Sequence, residues 1–183
     1  MWLSVAPTIF NKERSSVMEF ALPPGAFRGG HCGVQAVAVV AGIGLPRCFR
    51  VFQETCRNIK DKPRWKGSTY YQDRIRVLNK LGIKYQELDT KHTRNLTLQR
   101  FVKDVANPNH VYMVTTTRHV QLVRGNQVLD QGGVKKIADF WGKRKKISWP
   151  VLKIDIAEAA KAFDIAEAQT FGLPLFDRKE NQK

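Results

Sequence analysis

One cysteine in the sequence stands where a helix is expected to begin. Cys32 follows two glycines and precedes a run of small and apolar residues that ends at Gly42 or Gly44, which predicts a buried helix. The backbone N–H groups and the positive dipole at a helix start favour a thiolate, so Cys32 is a candidate nucleophile. The simpler interpretation is a small residue buried at a helix start, as free cysteines commonly are.

A nucleophilic cysteine needs a base to take its proton and a third group to orient that base. Of the four histidines, His31 adjoins the cysteine and is expected to point away from it, while His92 and His110 lie in polar loop and turn segments. His119 begins a predicted strand and is the expected base. The alternative is a structural histidine on a strand, whose ring hydrogen-bonds to a neighbouring residue.

The expected orienting group is Asp130, at the end of the next predicted strand. A two-residue turn at 125–126 puts Asp130 on the same face as His119 and diagonally beside it. A three-residue loop would put the two side chains on opposite faces, and Gln131 would then be the orienting residue. Taken alone, Asp130 could equally be an ordinary acid beside a turn.

Together these residue types predict nucleophilic chemistry at a carbonyl carbon. Cys32 would attack, His119 would take the thiol proton and return it to the leaving group, and Asp130 would hold the imidazole tautomer. The Cys32 backbone N–H is the expected oxyanion donor. Cysteines and histidines are not clustered at ligand spacing, so we predict neither a metal site nor a cofactor.

The groups must be positioned by predicted helices, which dominate the first half of the chain, and by predicted strands, which dominate the second half. Helices are predicted over about 32–42, 47–58, 69–81, 97–106 and 155–168, and strands over 84–88, 111–116, 120–124, 127–130 and 150–154. Ser68 and Thr97 are expected to cap their helices. This order predicts an α+β fold in which N-terminal helices, the first of them carrying the nucleophile, pack on a C-terminal antiparallel sheet.

The length of 183 residues fits one domain with a sizeable core. We expect a lead-in segment over 1–28, a catalytic domain over 29–155, and a C-terminal helix and polar tail over 156–183 that belong to the same domain. Cys48 and Cys56 would lie too far apart on one helix to form a disulfide, which favours a reducing compartment. With no signal-peptide pattern and no apolar run of membrane length, the expected location is cytoplasmic, without membrane attachment.

The charge is strongly positive, with 31 Lys and Arg against 16 Asp and Glu and a net charge of +15. Such an excess suits attraction to nucleic acid or another polyanion. It is spread along the chain except for one dense run, which supplies the candidate polyanion-binding residues Lys143, Arg144, Lys145 and Lys146. No zinc-finger spacing, phosphate loop or aromatic RNA-binding signature accompanies it, so any such binding is expected to be non-specific.

The order of these motifs resembles the papain-like cysteine peptidases, in particular the compact bacterial branch that trims double-glycine leader peptides. The similarity runs from about 29 to 133. It is carried by four segments: the helix start at 31–36, the Gly-Ser-Thr at 67–69 with the Leu-Gly at 81–82, the Thr-Leu at 97–98, and the His-Val at 119–120 with its hairpin to Asp130. The resemblance implies a papain-like fold with a Cys-His-Asp triad at Cys32, His119 and Asp130.

The chain departs from this family in one respect. The family usually carries a glutamine a few residues before the cysteine, and its side chain donates to the oxyanion. Residues 23–31 contain no glutamine, and Arg28 is the candidate substitute. Loss of one such donor can reduce the rate about 100-fold or more.

Two functions follow from these features. The first is a cysteine hydrolase that cleaves an amide, peptide or isopeptide bond in a protein or peptide; the same triad also serves acyl transfer, transglutamination and deamidation. The alternative is a non-catalytic basic binding module on the same scaffold that contacts nucleic acid or an acidic protein. The charge of +15 and the missing glutamine motivate this alternative.

Overall fold

A computed structural model describes residues 20–155 of the chain, apart from positions 24, 27, 28, 61, 63 and 64. The helices are α1 (Cys32–Ala41), α2 (Leu45–Thr55), α3 (Arg57–Lys60), α4 (Tyr71–Lys80), α5 (Thr90–Thr93) and α6 (Leu98–Asp104). The strands are β1 (Tyr85–Glu87), β2 (Val111–Thr116), β3 (His119–Arg124), β4 (Gln127–Asp130), β5 (Gly133–Lys136) and β6 (Leu152–Ile154). A short 3-10 turn covers Ile137–Asp139. Most of the predicted lead-in, and the predicted C-terminal helix beyond Asp155, lie outside the described residues, and the proposed domain division stays a prediction.

The helix α1 begins at Cys32, as the sequence predicts. Every residue from Gly33 to Ala41 is buried, because the small and apolar side chains let the helix sit inside the molecule. Gly42 ends the helix with a φ of 64°, in the left-handed region that favours glycine, and its N–H reaches the carbonyls of the last turn.

Two details of the helices differ from the prediction. The second helix begins at Leu45, since Pro46 is tolerated in a first turn, and it breaks at Cys56 where the backbone becomes extended. Ser68 is not a cap: α4 begins at Tyr71, and the Asp73 carboxylate accepts the Tyr70 N–H at 2.9 Å. Asp73, the third residue of the helix, thus accepts the hydrogen bond from a free backbone N–H that the Ser68 hydroxyl was expected to accept.

The strands form one antiparallel sheet in the order β1-β6-β2-β3-β4-β5. Arg124 pairs with Gln127, so the turn between β3 and β4 has two residues, as predicted. The strand β5 was not predicted; its residues pair with β4, with Asp130 opposite Gly133. Thr97 caps α6 as expected, its hydroxyl accepting the Arg100 N–H at 3.2 Å.

Apolar clusters lie on both faces of the sheet, because strand side chains alternate. On one face α1, α2 and α4 pack on residues that include Met113, Leu122 and Leu129. On the other face α6 and the segment around Phe140 pack on residues that include Tyr112, Val123 and Val128. The predicted α+β class, with helices packed on an antiparallel sheet, is confirmed.

Within the described residues, no single helix is both long and apolar enough to cross a bilayer. The pair α1 and α2, bent by 107°, passes the length and composition criteria only when the two helices are taken together.

Candidate active site

Cys32 and His119 border the same cleft, which has a volume of about 300 Å³. Cys32 is the first residue of α1, and His119 is the first residue of β3 with only 12% of its side chain exposed. Burial raises the pKa of the Cys32 thiol. Hydrogen bonds from the His119 side chain and the Val120 N–H, with the nearby charges of His119 and Arg74, outweigh burial and bring this pKa below its usual 9.0.

The imidazole of His119 is held by Asp130, its diagonal neighbour across the hairpin. Their closest atoms, His119 Nε2 and Asp130 Oδ2, are 3.2 Å apart. Burial lowers the pKa of His119, but hydrogen bonds to Asp130 and Cys32 and the charges of both raise it to about 9. Because Nε2 faces the carboxylate, Nδ1 is the ring nitrogen left for Cys32. A ring proton retained at neutral pH and a lowered thiol pKa both favour a thiolate–imidazolium pair.

Asp130 is itself fixed by two further donors. Its Oδ1 accepts the Gly132 N–H at 2.8 Å, and its Oδ2 accepts the Trp141 indole N–H at 3.3 Å. Burial raises the pKa of this carboxyl, and the bonds from His119, Gly132 and Trp141 together with the charge of His119 lower it. The carboxylate is therefore the stable form beside the imidazole.

Two residues of this arrangement were not predicted from the sequence. The Trp141 ring lies 5.4 Å from the His119 ring, centroid to centroid, in addition to its bond with Asp130. Gln35, one turn after Cys32, donates from Nε2 to the backbone carbonyl of Asp130 at 3.2 Å and so ties α1 to β4. Neither contact has a local signal, because each joins elements that are distant in sequence.

The structure bears on the role predicted for Gln131 but not on the role predicted for Arg28. Gln131 was the orienting residue only for a three-residue loop, and the observed two-residue turn leaves that role to Asp130. The Gln131 side-chain nitrogen has no hydrogen-bond partner within the described chain. Arg28 lies outside the described residues, so its role as an oxyanion donor stays a prediction.

The basic run forms a turn directly after Trp141. Its backbone carbonyls at Lys143 and Lys145 accept the N–H groups of Gln99 and Leu98 at 2.9 and 3.0 Å, which anchors the turn to the start of α6. The Lys143 ammonium donates to the carbonyl of Ala138. The Lys145 ammonium lies 4.0 Å from the centroid of the Trp141 ring. Arg144 and Lys146 are exposed.

Arg74 is a further residue of the cleft that was not predicted. It is 2% exposed and lies on the buried face of α4. The sequence did contain a signal: Arg74 falls between Tyr71 and Leu78 at the spacing of their apolar series, so a charged residue occupies a core position. In the part of the chain that the structure describes, no group of three His, Cys, Asp or Glu could hold a metal ion.

Alkylation with iodoacetamide across a pH series tests the state of Cys32. The reagent attacks the thiolate, whose fraction rises with pH through the thiol pKa, so we expect a labelling midpoint below pH 9.0. His119→Ala removes the hydrogen bond and the charge that oppose burial, so the midpoint should rise; each unit of rise lowers the neutral-pH rate about tenfold. Peptide mapping should locate the label at Cys32, because burial raises the pKa of Cys48 and Cys56.

A midpoint that does not move in His119→Ala would contradict the thiolate–imidazolium pair. Cys32→Ala is the control, and it should abolish the rapid labelling while Cys48 and Cys56 remain buried.

Titration of the His119 ring protons by NMR tests the contact with Asp130. Asp130→Asn keeps the shape of the side chain and removes its charge, so the pKa of His119 should fall from about 9 toward 6.5. Asp89→Asn is the matched control, since Asp89 pairs with His92 in an exposed turn. A His119 pKa that is equal in the two variants would show that Asp130 does not set it.

Comparison with known proteins identifies no relative. The chain matches no protein-family model, no curated protein and no solved structure. Function is therefore inferred from the residues of the site alone.

Proposed function

We propose that this chain is a papain-like cysteine hydrolase that cleaves an amide, peptide or isopeptide bond in a protein or peptide. The observation that carries the proposal is a thiol and an imidazole on one cleft, with a carboxylate 3.2 Å from the imidazole. These groups, on Cys32, His119 and Asp130, come from α1, β3 and β4. Cys32 and His119 line one cleft, and Asp130 bonds to the His119 ring. A nucleophile, a base and an orienting acid in this order are the parts that acyl-transfer chemistry requires.

In the proposed reaction the Cys32 thiolate attacks the carbonyl carbon, forming a C–S bond and moving the carbonyl π pair onto oxygen. When the oxyanion collapses, the His119 imidazolium gives its proton to the leaving amine. His119 then takes a proton from water, whose oxygen attacks the thioester. Collapse of the second oxyanion breaks the C–S bond and releases the acid product and the Cys32 thiolate. Asp130 accepts a hydrogen bond from Nε2 throughout and stabilises the imidazolium. An amine in place of water would give acyl transfer at the same site.

The oxyanion is expected to accept a hydrogen bond from the Cys32 backbone N–H at the start of α1. Gln35 is not the second donor, because its side-chain amide is engaged with the carbonyl of Asp130. Arg28 remains the candidate for this position. A papain-like fold is supported by a cysteine at the start of a buried helix and a histidine on the antiparallel sheet against which that helix packs.

Incubation with a proteome-derived peptide library, read by mass spectrometry of new termini, tests the hydrolase. Cys32→Ala and His119→Ala should each lower cleavage by about 10⁴-fold or more, because members of such a triad act as a unit. Cys56→Ser is the matched control; it alters a buried cysteine outside the site and should cleave as the wild type does. Cleavage that persists in Cys32→Ala, or a wild type that cuts nothing, would contradict the proposal.

A second candidate, binding of nucleic acid or an acidic protein, is favoured by the exposed Arg144 and Lys146 on a chain of net charge +15. A duplex DNA of random sequence, titrated at several salt concentrations, tests it. Affinity should fall steeply with salt, and the double variant Arg144→Gln/Lys146→Gln should flatten the slope by about 0.9 per lost phosphate contact. Lys60→Gln/Lys80→Gln makes the same charge change on α3 and α4 as a control. Affinity that is independent of salt would exclude a polyanion-binding role.

A further inference from the structure

Arg74 brings a buried positive charge to the wall of the cleft that holds Cys32. Its guanidinium donates from one terminal nitrogen to Thr115 Oγ1 at 2.9 Å, and from the other to the carbonyl and hydroxyl of Thr69 at 3.3 and 3.4 Å. All of these acceptors are neutral. The Nε atom is buried and has no hydrogen-bond partner among residues 20–155 as described.

No described carboxylate forms an ion pair with Arg74. The nearest acid in sequence, Asp73, is engaged elsewhere: its carboxylate accepts from the Tyr70 N–H, from Asn58 and from Arg76. Burial lowers the pKa of Arg74 to about 10, opposed by the charges of Cys32, Tyr71 and Asp73, so the guanidinium stays charged at neutral pH. Cys32 and Asp73 act on Arg74 by charge, but neither of them hydrogen-bonds to it. The guanidinium therefore keeps an unused donor, Nε, and a positive charge that favours an incoming anion.

The shape of the cleft limits what that anion can be. Tyr71 and Trp149, which both line the cleft, stack with ring centroids 5.5 Å apart and planes 9° apart, and the Arg74 guanidinium carbon lies 5.8 Å from the Tyr71 ring centroid. Gly33, which also lines the cleft, has no side chain; a Cβ there would overlap the Thr69 hydroxyl and lie 3.2 Å from Arg74 Cδ. The cleft, at about 300 Å³, has room for a side chain with a short aliphatic stem beside the half-exposed Trp149 and a carboxylate at the guanidinium.

We propose that this acid pocket, formed by Thr69, Tyr71, Arg74, Thr115 and Trp149, receives an Asp or Glu side chain of the substrate next to the scissile bond. Arg74 is then a specificity-determining residue and supplies the charge that selects an acidic peptide. The inference rests on the proposed function, since the pocket and Cys32 share one cleft. It also gives the net charge of +15 a role in attracting acidic substrates.

Paired alkylating reagents test the pocket without a known substrate. The Cys32 thiolate displaces iodide from both iodoacetate and iodoacetamide as a C–S bond forms; the two reagents have similar size and differ in charge. A positive charge that merely stabilises the thiolate changes both rates equally, whereas a carboxylate site changes their ratio. Arg74→Gln should lower the iodoacetate rate relative to iodoacetamide about tenfold or more. Arg76→Gln, a change to an exposed arginine of the same helix, should leave the ratio unchanged.

A ratio that is equal in Arg74→Gln and wild type overturns the acid pocket. Because Arg74 is buried, its variant could fail to fold, and a measurement on the wild type covers that case. N-acetylglutamate should protect Cys32 from iodoacetamide, and N-acetylglutamine, its neutral amide, should not. Equal protection by both compounds, or protection by neither, also overturns the pocket.

Peptide pairs that differ only by Glu or Gln near the cleaved bond separate this inference from the hydrolase itself. The wild type should cleave the Glu member at least about tenfold faster, and Arg74→Gln should remove the difference. Cleavage that needs Cys32 but shows no preference overturns the acid pocket alone. Carboxylate selectivity in the alkylation ratio, with no cleavage that depends on Cys32, supports the pocket and overturns the hydrolase.

Discussion

The hydrogen bond between His119 Nε2 and Asp130 Oδ2 sets the charge state of the whole site. It turns the other ring nitrogen toward Cys32 and helps to raise the pKa of the imidazole to about 9. A protonated ring in turn lowers the pKa of the thiol. Gly132 and Trp141 hold the carboxylate by donating to its two oxygens, so the geometry of this bond is fixed from both sides.

Burial acts against every charge in the cleft. It raises the pKa of Cys32 and Asp130 and lowers that of His119 and Arg74. For the first three, opposite charges and hydrogen bonds outweigh burial, so the pKa values of Cys32 and Asp130 are lowered and that of His119 is raised. Arg74 differs, since its hydrogen bonds reach only neutral oxygens. This difference in partners is the basis of the proposal that Arg74 receives an incoming anion, whereas His119 and Asp130 pair with each other.

Trp141 joins the basic turn to the site. Its indole N–H donates to Asp130 and its ring contacts the His119 ring, while the Lys145 ammonium lies over the same indole. The turn's carbonyls also accept N–H groups at the start of α6, so its backbone has a structural role whatever its side chains bind. The positive surface and the proposed catalytic groups therefore belong to one packed unit on the described chain.

The sequence by itself determined the features that depend on neighbours within a few residues. The helix start at Cys32, its glycine end, and the two-residue turn that brings Asp130 beside His119 all follow from local backbone preferences and strand alternation. Only the tertiary structure decided that Cys32 and His119 share a cleft, that Trp141 contacts His119 and Asp130, and that Arg74 lines the same cleft. Those contacts arise from the packing of α1 and α4 on the sheet, and packing depends on whole apolar faces that no local pattern specifies. Local rules also failed at two helix ends. The Asp73 carboxylate, and not Ser68, caps the start of α4, and α2 ends early because the backbone of Cys56 is extended.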